Sequence, residues 1–128
     1  MTVEATLYTR LSTFAGLAAL VGTRIYPLIL PEGVAYPAVT YQRVATPPRE
    51  SCMGVDVGLV RPRIQITVWG DTFAAVKAAA EQVRQALQRW STTGVQDTFL
   101  IGENDLYDEE AAKYGAALDA EIVYEEVV

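Results

Sequence analysis

The chain has to do any chemistry without an imidazole, because its 128 residues include no histidine. That removes Ser-His-Asp triads, Cys–His dyads and histidine metal sites together. The single Cys52 can form no internal disulfide, which suits a reducing compartment. With no imidazole beside it to favour the thiolate, it reads as an ordinary loop cysteine. Neither a Walker A lysine nor a G-x-G-x-x-G turn is present. Glu103, Asp105, Asp108, Glu109 and Glu110 gather carboxylates in one segment, but not at the spacing of a calcium loop, so they read as solvated acids. Two carboxylates could share acid–base work, yet nothing marks one pair above another. The expectation is a protein that is not an enzyme and holds no metal and no cofactor.

The residues best placed to make contacts are arginines. In "RPRIQITVWGDTFAAV", residues 61–76, Ile64, Ile66 and Val68 fall on one face of a strand. Arg61, Arg63, Gln65, Thr67 and Trp69 fall on the other. A guanidinium pairs carboxylates through two parallel bonds, and a neighbouring Trp supplies apolar area, as interface anchors do. Charge supports a contact role. Residues 1–96 carry nine Arg and Lys against six Asp and Glu, whereas 97–128 carry one Lys against ten acids. Such a molecule could pack head to tail with copies of itself, closing a ring where the rotation allows. The candidate subunit or partner interface is therefore Arg61, Arg63, Gln65 and Trp69, with Arg49 and Met53 from a long loop and Asp108, Glu109 and Glu110 from the acidic end.

Elements must position these groups. Val3, Leu7, Leu11 and Phe14 recur at helical spacing behind a Thr2 cap, and Gly16 or Gly22 can stop the helix. Five prolines between Pro27 and Pro48 constrain the next segment to a short edge strand over 25–30, a turn at Glu32-Gly33, and a Val/Thr/Tyr-rich strand over 38–45. Residues 46–60 show no periodicity and contain Pro47, Pro48, Gly54 and Gly58. They are expected to form a long loop, mobile in the isolated subunit. After the strand of residues 61–69, Asp71 or Thr72 caps a helix whose stripe of Phe73, Val76, Ala80, Val83, Leu87 and Trp90 should cover the Ile64/Ile66/Val68 face. A strand over 99–107, broken near Gly102, and a last strand alternating Leu118, Ala120, Ile122 and Tyr124 with Asp119, Glu121, Val123 and Glu125 complete the order α-β-β-β-α-β-β. The expected fold class is α+β: one domain over 1–128, a mainly antiparallel or mixed sheet of about five strands packed against two helices. The expected core is Ile64, Ile66, Val68, Phe73, Val76, Val83 and Leu87.

Composition excludes other classes. Apolar residues make up 51% and charged residues 20%, as in a globular protein. A net charge of −6 argues against nonspecific binding to nucleic-acid phosphates. The longest apolar run, 14–21, is too short to span a bilayer, and Glu4 stands where a secretory signal would be basic.

Taken in order, "RIYPLILPEG", "YPAVTYQRV", a glycine-containing loop, "RPRIQITVWGDTFAAVKAAAEQVRQAL", "DLYDEE" and "LDAEIVYEEV" resemble the tail completion, or tail terminator, proteins of long-tailed bacteriophages. The resemblance covers nearly the whole chain. It departs from the pattern at Pro47, Pro48 and Cys52. It implies a structural subunit that forms a hexameric ring with its own copies on the end of the tail tube, contacts tail tube protein on one side and a head connector or stopper on the other, and lets DNA pass through its lumen without specific binding. It implies localisation in the virion after assembly in the bacterial cytoplasm. Two other readings stay open from the residues: a different phage neck component, such as a head-closure or connector protein, and a non-viral α+β ligand-binding or regulatory dimer.

Overall fold

The computed structural model describes residues 2–46, 51–52, 55–56 and 59–125. In chain order the elements are α1 (Val3–Thr13), α2 (Ala15–Val21), β1 (Ile25–Pro27), β2 (Ala38–Ala45), β3 (Ser51–Cys52), β4 (Val55–Asp56), β5 (Leu59–Val60), β6 (Arg63–Gly70), α3 (Phe73–Leu87), β7 (Val95–Asp108) and β8 (Lys113–Glu125). The main sheet runs β1-β2-β6-β8, with β7 outside β8. β5 pairs with β8 at Tyr124, opposite Val95 of β7, and so prolongs the line of β6. β3 and β4 form a separate small ribbon. Every pairing in the main sheet is antiparallel except β1 with β2, so the α+β expectation holds and the sheet is mixed.

Alternation builds the core. Ile64, Ile66 and Val68 of β6 stand opposite Ala120, Leu118 and Ala116 of β8, and all six are buried. α3 covers this face with Val76, Ala79, Ala80, Val83, Ala86 and Leu87. Alanines in that stripe let the helix approach the sheet closely. Thr72 caps α3 by accepting a bond from the Ala75 N–H at 3.2 Å. Val3, Leu7 and Leu11 of α1 and Leu17 and Val21 of α2 complete the cluster.

Five details depart from the sequence reading. The sequence makes residues 46–60 a loop throughout, yet β3, β4 and β5 fall within them, β5 because Leu59 and Val60 pair with Glu125 and Tyr124, far away in sequence. The first helix is two: Phe14 is extended (φ −75°, ψ 111°), ending α1 and starting α2. Thr9 and Thr13 bond back to the carbonyls of Ala5 and Thr9, a habit that weakens a helix from within. Phe73 is not core. It lies 46% exposed in the first turn of α3, its ring edge-on to Tyr114 at 6.0 Å, at the margin of the sheet where β8 begins. β1 stops at Pro27, where Leu28 turns to φ 65°. Val123, placed by alternation among the acids, is buried. The periodicity fails there because β7 bulges between Val95 and Asp97 opposite it.

Trp69 lies across Gly115 on the facing strand. A Cβ there would stand 2.9 Å from Trp69 Cζ3. Gly115→Ala should therefore displace the indole, lowering stability by about 1–3 kcal/mol and shifting tryptophan fluorescence. Leu7→Ala, at a fully buried site, should cost about 2–5 kcal/mol in urea unfolding. Leu28→Ala, at an exposed one, should stay within about 0.5 kcal/mol.

Candidate assembly surface

The sheet face away from the helices carries the expected contact residues. Arg63, Gln65 and Trp69 sit on it, opposite Glu121, Asp119 and Gly115 of β8. The same parity that buries Leu118 and Ala120 puts Asp119 and Glu121 beside the arginines. Arg63 Nη2 reaches Asp119 Oδ2 at 2.8 Å, and Arg61 Nη1 reaches Glu121 Oε1 at 3.1 Å. The two arginines thus meet carboxylates of their own chain. Arg49 and Met53 lie outside the described residues, as does most of the loop expected to be mobile.

A groove of about 400 Å³ crosses this face. Thr40, Gln65, Thr67 and Trp69 form its floor, with Leu28 and Ile29 on one side and Leu106 on the other. Leu28 and Ile29 are 66% and 78% exposed. The positive φ of Leu28 is a conformation that a leucine holds at a cost of about 1–3 kcal/mol, and here it turns apolar side chains into solvent. Sequence reasoning passed over this pair. The signal was available in "PLIL", three apolar residues directly after a proline that ends a strand.

On the helix side, β7 is tied to α3 by charge. Lys77 Nζ lies 2.9 Å from Asp105 and 3.6 Å from Glu103, and Arg84 lies 2.8 Å from Glu103. Lys77 and Arg84 are two helical turns apart and Glu103 and Asp105 one strand repeat apart, a matched spacing visible in the sequence and missed. Arg89 pairs with Asp97 at 2.7 Å and Lys113 with Asp71 at 2.6 Å. Among the expected acidic contacts, Asp108 caps the β7–β8 turn by accepting from the N–H groups of Glu110 and Ala111. Glu109 and Glu110 stand exposed at the tip of that turn. Tyr107, Tyr114 and Phe73 form an exposed aromatic group beside it, Tyr107 and Tyr114 being 5.0 Å apart. No group of three or more Cys, Asp or Glu among the described residues is arranged to hold a metal. No helix of the described residues is long and apolar enough to cross a membrane.

Both lysines hold their protons more tightly than usual: Lys77 chiefly through its hydrogen bond to Asp105, Lys113 through its bond to Asp71. Tyr41 is also raised, by burial first and then by Tyr8 and Glu4.

The class is given by fold. The chain superposes on one from the virion of a native gene transfer agent (GTA) particle with a TM-score of 0.71 and 26% identity, over 96% of this chain and 94% of the other. It is an α+β fold shared with a virion component. The family is given by sequence: residues 5–125 match the family model of tail completion protein gp17, and the chain belongs to that family of structural virion proteins. Comparison with curated proteins finds no sequence match.

The raised groups set a pH limit. Each binds its proton more tightly folded than unfolded, so its contribution is complete below the ordinary value of 10.5 for the lysines and 10.0 for Tyr41, and is lost as pH rises through the folded values. The melting temperature should hold level to about pH 9 and fall above about pH 10. Lys77→Met with Lys113→Met should flatten that fall in a calorimetric pH series.

Proposed function

We propose that this protein caps the end of a phage tail tube as a ring of its own copies, stops tube polymerisation, and offers its outer side to the head's connector or stopper, with DNA passing through the hole. The observation that carries this reading is the match of residues 5–125 to the tail completion family. The virion setting of the structural relative supports it. A ring needs a heterologous contact between two different patches of one molecule. The groove face with Trp69, Leu28 and Ile29, and the β7–β8 tip with Asp108, Glu109 and Glu110, are two such patches. Because Arg61 and Arg63 are already paired within the chain, apolar contact supplies the adhesion, and charge sets orientation and rate. Exposed pairs of this kind contribute about 0–1 kcal/mol each. A net charge of −6 also suits a lumen that repels phosphates and lets DNA slide.

Electron microscopy of the purified protein, alone and mixed with tail tube protein, tests the reading. Six-fold rings seated on tube ends are expected; free tubes that keep growing in its presence would overturn it. Ile29→Glu should leave the circular dichroism spectrum unchanged, since Ile29 is exposed, and should abolish ring formation. Rings formed normally by a folded Ile29→Glu protein would remove this groove edge from the contact.

A further inference from the structure

The two edges of the main sheet differ in what their main chains can still bond. At β1, the bonds from Val39 N–H to the Arg24 carbonyl (2.9 Å) and from Leu28 N–H to the Tyr41 carbonyl (3.0 Å) fix the phase, so Tyr26 turns both its groups toward β2. Of the groups left facing out, Ile25 N–H donates to the Thr23 carbonyl at 2.9 Å. Pro27 has no N–H, and its carbonyl accepts from Ile29 N–H at 2.8 Å. Along β1 only the Ile25 carbonyl remains among the described residues; beyond Pro27, β2 runs on uncovered, and Arg43, in the phase of Val39 and Tyr41, turns its N–H and C=O outward.

The β7 edge is different. Glu125 N–H donates to the Gly94 carbonyl at 2.8 Å and Ile122 N–H to the Pro62 carbonyl at 3.1 Å. Odd-numbered residues of β8 therefore bond toward β7 and even-numbered ones toward β6. Gly102, Asn104 and Leu106 pair with Asp119, Ala117 and Gly115, so they face β8. Glu103, Asp105 and Tyr107 consequently present both N–H and C=O outward. Thr98, in the same phase before the bulge, has its outward carbonyl taken by Arg89 N–H and its own N–H by Asp97. No such partner meets Glu103, Asp105 or Tyr107 among the described residues.

Exposed apolar side chains flank this open stretch: Ile101 on the bulge at 49% exposure, and Tyr107 with Phe73 at the far end. Its charge is one-sided. Glu103, Asp105, Asp108, Glu109 and Glu110 outnumber Lys77, Arg84 and Lys113 there; Lys77 and Arg84 pair with Glu103 and Asp105, so the excess lies at the turn, at Glu109 and Glu110.

We propose that residues 103–107 of β7 are a docking edge that takes one extended, basic segment of another protein as an added strand. The main chain supplies the bonds, the acidic excess at Glu109 and Glu110 favours Lys or Arg, and Ile101 and the group of Tyr107, Tyr114 and Phe73 receive apolar side chains. A second copy of this chain is disfavoured as the occupant. Among the described residues its other edge offers little beyond the main chain of Arg43, and β7 against β7 would set acids against acids. The assignment goes beyond ring formation and holds for the dissolved subunit.

The probe is a peptide of about seven residues, enough for one strand, alternating lysine with valine and threonine, beside a version with glutamate in place of lysine. With the basic peptide, amide exchange at Glu103, Asp105 and Tyr107 should slow about tenfold or more by NMR, and with the acidic one it should not change. Asp105→Pro removes an outward N–H, a substitution that sheet edges tolerate, and should abolish the protection. Asp105→Asn keeps the edge intact and should retain protection with affinity lowered a few-fold; it serves if the proline variant does not fold. Protection elsewhere, equal protection by the acidic peptide, or concentration-dependent protection with no peptide, which would mean self-pairing, overturns the assignment. The readout needs no ring, so a failure here and a failure to form rings are separate results.

Discussion

One strand carries the architecture. β8 pairs with β6 and β5 on one side and β7 on the other, and its even-numbered residues Ala116, Leu118, Ala120 and Ile122 are buried beneath the helices. Side chains alternate with a period of two, so this burial admits one register only. A slip by one residue would drive Asp119 and Glu121 under α3. The register also dictates the far face: with Leu118 and Ala120 inward, the two carboxylates must stand outward beside Arg63 and Arg61. Core packing and surface pairing are thus consequences of the same parity.

That parity dissolves the polarity of the primary sequence. Along the chain, basic and acidic residues are segregated between 1–96 and 97–128. In space, the late acids return to the early cations: Asp119 to Arg63, Glu121 to Arg61, Glu103 and Asp105 to α3, Asp97 to Arg89. What remains unbalanced is local, at the β7–β8 turn. Self-association built on such a surface depends mainly on apolar contact and on shape, which salt weakens little.

Much of this was legible in the residues. The Ile64/Ile66/Val68 alternation, the Thr72 cap and the Val76–Leu87 stripe each state their burial locally, and α3 and β6 lie where those patterns put them. The misses have physical causes. Phe73 carries the right spacing for the stripe but sits in the first turn, over Tyr114 at the margin of the sheet, and no periodicity reports where a sheet stops. The break at Phe14 depends on back-bonded threonines and on Arg10, whose Nε donates to the Ala86 carbonyl at 2.8 Å and whose guanidinium lies over Phe14, contacts 76 and 4 residues away in sequence. The pairing of Arg63 with Asp119 needed the strand register, which no local window contains.

The closed β1 edge has a meaning best put in the language of step-growth polymers. A monomer extends a chain only if it is bifunctional; a monofunctional one adds once and ends it. In backbone pairing the described sheet comes close to that, because Pro27 and the bonds from Ile25 and Ile29 use up the β1 stretch of one edge and leave Arg43 of β2 as its open residue. Among the described residues, a strand added to β7 finds no open stretch of equal length on the far edge from which a further sheet could grow. That inequality between the two edges works against sheet growth in both directions at once.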